Sequence, residues 1–206
     1  MRIAGESFGT LVWDTIAHPA EASRIVLSER LDRGTLWSAL ALVSVLSTLV
    51  TALRNVLMPP GAADVRLPDG QTVQVVLTPF AFAFIIFALL TILVFVLDLV
   101  GRVLGGRGEL TGILTAVVWT QIVFLIVDLS LLVVMVMVPP LSSVAALVAL
   151  VLITRASVHF LKVAHDFETL GRAAATLLLS LLGLFIGMGL IIGLITTAAA
   201  AFGGSP

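Results

Sequence analysis

The chain has 206 residues, of which 60% are apolar and only 11% charged, with a formal net charge of -1. An average soluble domain carries about 25% charged residues, and a soluble fold of this size has no interior for so much hydrocarbon. The chain contains no cysteine, which excludes disulfides, thiol nucleophiles and cysteine-ligated metals, and its basic residues are too scattered to read phosphates, so no nucleic-acid partner is expected.

The first 34 residues are mixed in character and carry Glu6, Asp14, Glu21, Arg24, Glu29, Arg30, Asp32 and Arg33. They do not resemble a secretory signal, and nothing is expected to be cleaved. Phe8, Leu11, Val12 and Ile16 recur at helical spacing beside Trp13, and after Pro19 a second short stretch presents Ala22, Ile25 and Val26. Residues 1–34 are therefore expected to form a cytoplasmic amphipathic segment lying in the membrane interface.

Residues 35–201 are expected to form the membrane domain. Its apolar spans cover about 35–57, 79–100, 112–138, 141–163 and 173–201, each bounded by charge, glycine or proline. Stretches of about 20 residues cross a hydrocarbon core of about 30 Å as helices. A barrel would need two-residue alternation, which these stretches lack. The fold class is thus an all-α integral membrane protein with five transmembrane helices. Between the first two spans, Asp64 to Val75 forms two alternating runs about Pro68-Asp69-Gly70, which predicts a small extracytoplasmic hairpin.

Ionisable groups inside a bilayer cost about 2.5 to 3.5 kcal/mol each on insertion scales, so those that remain usually face protein or water. Asp98, Gln121, Asp128, Arg155 and His159 form the candidate intramembrane polar network. Arg155, His159, Lys162 and Asp166 share one face of the fourth span, and Gln121 and Asp128 share a face of the third. If these two spans form the hairpin that Pro139-Pro140 implies, Asp128 and Arg155 differ by only about 6 Å in depth, within reach of an arginine side chain. A structural ion pair is favoured there over a proton or ion path.

Close packing is signalled more clearly. Ala173, Thr176, Ser180, Gly183 and Gly187 form a small-residue stripe on the fifth span, with Gly189 and Gly193 as a second patch about 120° away. These glycines are candidate helix-packing positions, within the chain or at a dimer interface. Enzymatic signatures fail. Gly5-Glu-Ser-Phe-Gly9 matches the nucleophile-elbow string but has only four residues before it where an elbow needs a strand, Gly101 to Gly108 lacks the ending of a phosphate loop, and His159 and His165 have no third metal ligand in sight. No catalytic residue, metal or cofactor is expected.

The five-span layout, the turn Leu104-Gly-Gly-Arg-Gly-Glu-Leu110 and the segment Val158-His-Phe-Leu-Lys-Val-Ala-His-Asp-Phe167 together resemble the Yip (Ypt-interacting protein) domain family, in a bacterial-type member. For eukaryotic relatives the resemblance implies a membrane protein that binds Rab-type small GTPases in vesicle traffic. The chain has no tyrosine, so the Asp-Leu-Tyr-Gly-Pro type motif of the eukaryotic cytosolic region has no counterpart here. No functional residue is carried over.

The expectation is a non-enzymatic protein of a bacterial inner membrane that binds the lipid bilayer and protein or lipid partners, as a homo-oligomer or with another membrane protein. The alternative is a small proton- or ion-coupled transporter or channel using the intramembrane Asp, Arg and His residues. Arg2, Arg24, Arg30, Arg33, Arg102, Arg107, Lys162 and Arg172 fall on one side of the spans, and only Arg54 and Arg66 toward the other. That bias puts the N-terminus in the cytoplasm and the C-terminus outside. Single cysteines at positions 69 and 107 test this in intact cells. An impermeant reagent should label position 69 and spare position 107, and the reverse pattern inverts the topology.

Overall fold

The computed structural model describes residues 2–3, 6–29, 31–58, 64–66, 72–74 and 78–203. Two short strands, β1 (Arg2–Ile3) and β2 (Glu6–Ser7), pair antiparallel ahead of the first helix. The short helices α1 (Phe8–Ala17) and α2 (Pro19–Ser28) follow. Ser7 caps α1 by accepting from the Thr10 amide, and Pro19 stands at the first turn of α2, where its missing N–H costs nothing.

Five long helices come next: α3 (Arg33–Leu57), α4 (Pro79–Val103), α5 (Leu110–Met137), α6 (Pro139–Ala164) and α7 (Leu170–Gly203). All five are long and apolar enough to cross a membrane. Most begin a few residues before the hydrophobic run does. Asp32 explains this for α3, because its carboxylate accepts from the Gly34 and Thr35 amides and starts the helix ahead of the apolar stretch. Those bonds, with the Thr35 hydroxyl first among them, hold the Asp32 carboxyl below its usual value. Between α3 and α4, β3 (Asp64–Arg66) and β4 (Thr72–Gln74) pair antiparallel in the register Asp64 with Gln74, Val65 with Val73 and Arg66 with Thr72. The expected turn at Pro68-Asp69-Gly70 lies outside the described residues.

The long helices pack as a closed ring, α3 on α4, α4 on α7, α7 on α6, α6 on α5 and α5 back on α3, with α4 also touching α5 across it. The start of α5 is the best-buried stretch, with Ile113, Leu114, Ala116, Val117, Val118 and Trp119 all in the core. It is buried because α1 and α2 cover it. Leu11, Ala22 and Val26 are fully or almost fully buried, and α2 packs on both α5 and α6. Trp119 supplies the polar anchor: its indole N–H donates to the Thr15 hydroxyl at 2.9 Å, Thr15 donates onward to the Leu11 carbonyl at 2.7 Å, and Phe8 meets the indole edge-on at 5.8 Å. An indole N–H deep in an apolar bundle needs such a partner. The N-terminal helices are thus part of the packed core, while Trp13 remains 66% exposed on the outer side of α1.

Candidate functional site

The polar groups fall into two places. One lies among the spans. Asp128, half-buried on α5, is paired with Arg54 from the last turn of α3. The sequence-based geometry had offered Arg155 as its partner. Arg155 instead stands exposed on α6 with no carboxylate beside it among the described residues. The physical reason is the order of the ring: α5 packs on both α3 and α6, and the arginine on α3 turns inward while the one on α6 does not. Asp98 is likewise satisfied locally, accepting from Arg102 one turn on at 3.0 Å. His159 is half-buried between Arg155 and Lys162, with no carboxylate partner among the described residues. Gln121 faces a cavity of about 250 Å³ together with Thr120, Thr154 and Ser157. Asp98, Asp128, Arg155 and His159 do not line that cavity, so the five network residues are not brought together.

The second place is the end of the bundle where α4 and α6 stop. Both helices finish in the same motif. In α4, the Gly106 amide donates to the Gly101 carbonyl at 2.8 Å and the Gly105 amide to Arg102 at 3.0 Å, with Gly105 left-handed at φ 88°. In α6, the Phe167 amide donates to the Lys162 carbonyl at 2.9 Å and the Asp166 amide to Val163 at 3.2 Å, with Asp166 left-handed at φ 55°. These are two Schellman ends, which satisfy carbonyls that a helix terminus would otherwise leave open. They are locked to each other, because the Arg107 amide donates to the His165 carbonyl at 2.9 Å.

Glycine is required at this junction for lack of room. A Cβ on Gly101 would lie 2.1 Å from the His165 ring, one on Gly106 2.8 Å from His165 Nδ1, and one on Gly108 2.0 Å from the Ala164 carbonyl oxygen. The His165 ring is fully buried in this cradle, with Phe167 at 5.1 Å between ring centroids. Neither ring nitrogen has a partner of good hydrogen-bond geometry among the described residues, although the Leu97 backbone stands near enough to favour the charged ring. Burial pushes the imidazole below its ordinary value, and the nearby Asp98 carboxylate works in the opposite direction. Two sequence segments, the basic glycine turn and the stretch ending in His-Asp-Phe, thus form one physical unit.

Just outside the cradle, Gly105, Arg107, Asp166, Phe167, Glu168 and Arg172 line a polar cavity of about 220 Å³. Sequence reasoning missed His165 as a structural centre and missed Arg54 as the partner of Asp128. A signal existed for each. Four glycines stand within eight residues opposite a His-Asp-Phe helix end, and Arg54 is the one basic residue near the C-terminal end of the first span. The small-residue stripe of α7 divides in two. Ala173, Thr176 and Ser180 are fully buried, whereas Gly183, Gly187, Gly189 and Gly193 have nothing within 4 Å of where a Cβ would stand.

Five apolar helices closed into a ring, with their loops interlocked at one end, make this a multi-pass membrane protein. The chain belongs to the Yip1 domain family, whose model matches residues 13–191, from within α1 through most of α7 and across both segments that meet at His165. No curated protein and no solved structure matches it.

The Arg54–Asp128 pair gives a direct test of how the intramembrane charges act. A lone charge left in a bundle costs about 3 to 5 kcal/mol when fully buried, and less here because the Arg54 side chain is 36% exposed. Asp128→Leu and Arg54→Leu should each lower stability by about 2 kcal/mol, and the double variant should recover most of that loss. Unfolding in detergent measures all three. Arg155→Leu should couple to neither, and additive losses for Arg54 and Asp128 would remove the pairing.

Proposed function

We propose that this Yip1-family protein is a non-enzymatic organiser of a bacterial inner membrane or of a complex within it, acting by binding protein or lipid partners. The observation that carries this reading is the outer part of α7. Beyond Ser180 none of its described side chains is buried, and the glycines at 183 and 187 and those at 189 and 193 leave two patches, about 120° apart, where another helix can approach closely. Small residues in a lipid-facing helix forgo side-chain packing unless a partner supplies it. The charges among the spans support the same reading, because Asp128 is paired across helices with Arg54 and ties α5 to α3, while Asp98 is neutralised within α4 by Arg102. The orientation with the N-terminus in the cytoplasm and the C-terminus outside, the cytoplasmic interfacial placement of residues 1–34 and the extracytoplasmic position of the hairpin belong to this proposal and rest on the arginine bias.

The transporter or channel reading has one observation in its favour, the cavity beside Gln121 with its three hydroxyl-bearing neighbours. It lacks an ionisable group there, which a proton or ion relay needs.

The native chain has no cysteine, so cross-linking is clean. Cysteines placed singly at positions 187 and 193 should give oxidative cross-links in native membranes, to a second copy or to another membrane protein. A cysteine at position 150, on an exposed face of α6, should give none. Equal behaviour at all three positions would remove the partner face from α7.

A further inference from the structure

The cavity outside the His165 cradle holds two cations and two anions that do not pair with one another. Arg107, Arg172, Asp166 and Glu168 all line it and all are exposed, yet none forms an ion pair within 4.0 Å with any described residue. The four charges stand around one small space without closing on one another. Arg172 rises from the first turn of α7 and reaches across to the α4 end, its Nη1 lying 3.9 Å from where a Cβ on Gly105 would stand. Asp166 stands at the end of α6 with a left-handed φ of 55°.

That conformation is informative. The equivalent position at the end of α4 is Gly105, the residue that adopts a left-handed φ without strain. At the end of α6 the same motif is closed by an aspartate, which tolerates the conformation less well than glycine. The α6 end gains nothing as a helix terminus from a carboxylate, since a helix C-terminus already carries partial negative charge. What the aspartate adds is an anionic group on the cavity wall.

We propose that this cavity binds a phosphate ester carrying a primary amine, the chemistry of a phosphoethanolamine headgroup. Arg107 and Arg172 bracket the phosphate, as planar guanidinium groups do, and the N-terminus of α7 adds favourable partial positive charge. Asp166 and Glu168 accept from the ammonium. A simple anion meets the two carboxylates, a metal ion meets the two guanidinium groups, and a zwitterion satisfies both pairs with no change in net charge. The cavity opens beside the ends of membrane-spanning helices, where a lipid of this class presents its headgroup. The inference deepens the partner-binding reading but uses a different surface from the α7 glycine face, so either one survives failure of the other.

The test uses the full chain, stripped of co-purifying lipid in mild detergent and titrated in native mass spectrometry. The probes are short-chain phosphatidylethanolamine, phosphatidylcholine and phosphatidylglycerol. Phosphatidylethanolamine should bind about threefold to tenfold more tightly than phosphatidylcholine, whose quaternary ammonium cannot donate, with phosphatidylglycerol weakest. Arg172→Gln should weaken all three, and Glu168→Gln should reduce phosphatidylethanolamine to the level of phosphatidylcholine. Asp166→Gly is the decisive variant, because it relieves the left-handed strain and should leave melting unchanged or raised while abolishing the amine preference. Free phosphoethanolamine distinguishes the sources: displacement of bound lipid supports recognition of a lipid headgroup, and binding of the free compound without the lipid keeps the pocket but makes the ligand soluble. Equal binding of the three lipids, or a preference that survives both Glu168→Gln and Asp166→Gly, would overturn the proposal.

Discussion

The junction of α4 and α6 at His165 is the constraint on which the rest of the arrangement depends. A helix that stops at a membrane surface leaves four carbonyls without partners, and an apolar surrounding makes each of them expensive. Here two helices solve the problem side by side with the same end motif, and a single backbone bond from Arg107 to His165 joins the solutions. The approach is so close that three positions, Gly101, Gly106 and Gly108, have no space for a Cβ. Because α5 starts directly after one of these ends and α7 directly after the other, the junction also sets where both later helices enter the bundle.

From that fixed end the molecule changes character along its length. Near the junction the core is dense, with α2 packed on α5 and α6 and the Trp119 indole bonded to Thr15. Toward the far end burial falls away, and the Arg54–Asp128 pair is the main polar tie between helices there. α7 makes the contrast clearest, passing from fully buried Thr176 and Ser180 to four glycines that face open space. The densely packed end carries a charged cavity, and the far end carries an α7 surface of unburied glycines.

The five spans were legible because hydrocarbon runs of this length have one stable solution in lipid. The register of those spans was less so. Asp32 and the Pro139 start extend α3 and α6 ahead of the apolar run, since capping chemistry and not hydrophobicity decides where a helix begins. The pairing of Asp128 was misread for a different reason: adjacency in sequence favoured α6, whereas the closed ring also places α5 against α3, and nothing in the hydropathy pattern reports ring order. The glycines of the first loop were visible as a cluster, but their purpose was not. Close approach depends on the partner surface, and the partner, His165, lies more than fifty residues away in the chain.

Hydrogen exchange at the Arg107 amide tests the junction most directly. Residues 105–109 join two helices at a water-facing end, and a free loop there would exchange its amides at close to the rate of an unfolded chain. Because the Arg107 amide donates to the His165 carbonyl at 2.9 Å, it should instead exchange as slowly as the last-turn amides of α4 and α6, and Gly108→Ala should release it together with the Phe167 amide. Fast exchange at Arg107 in the native protein, with α4 and α6 fully protected, would contradict the interlock and with it the account of how the bundle is held.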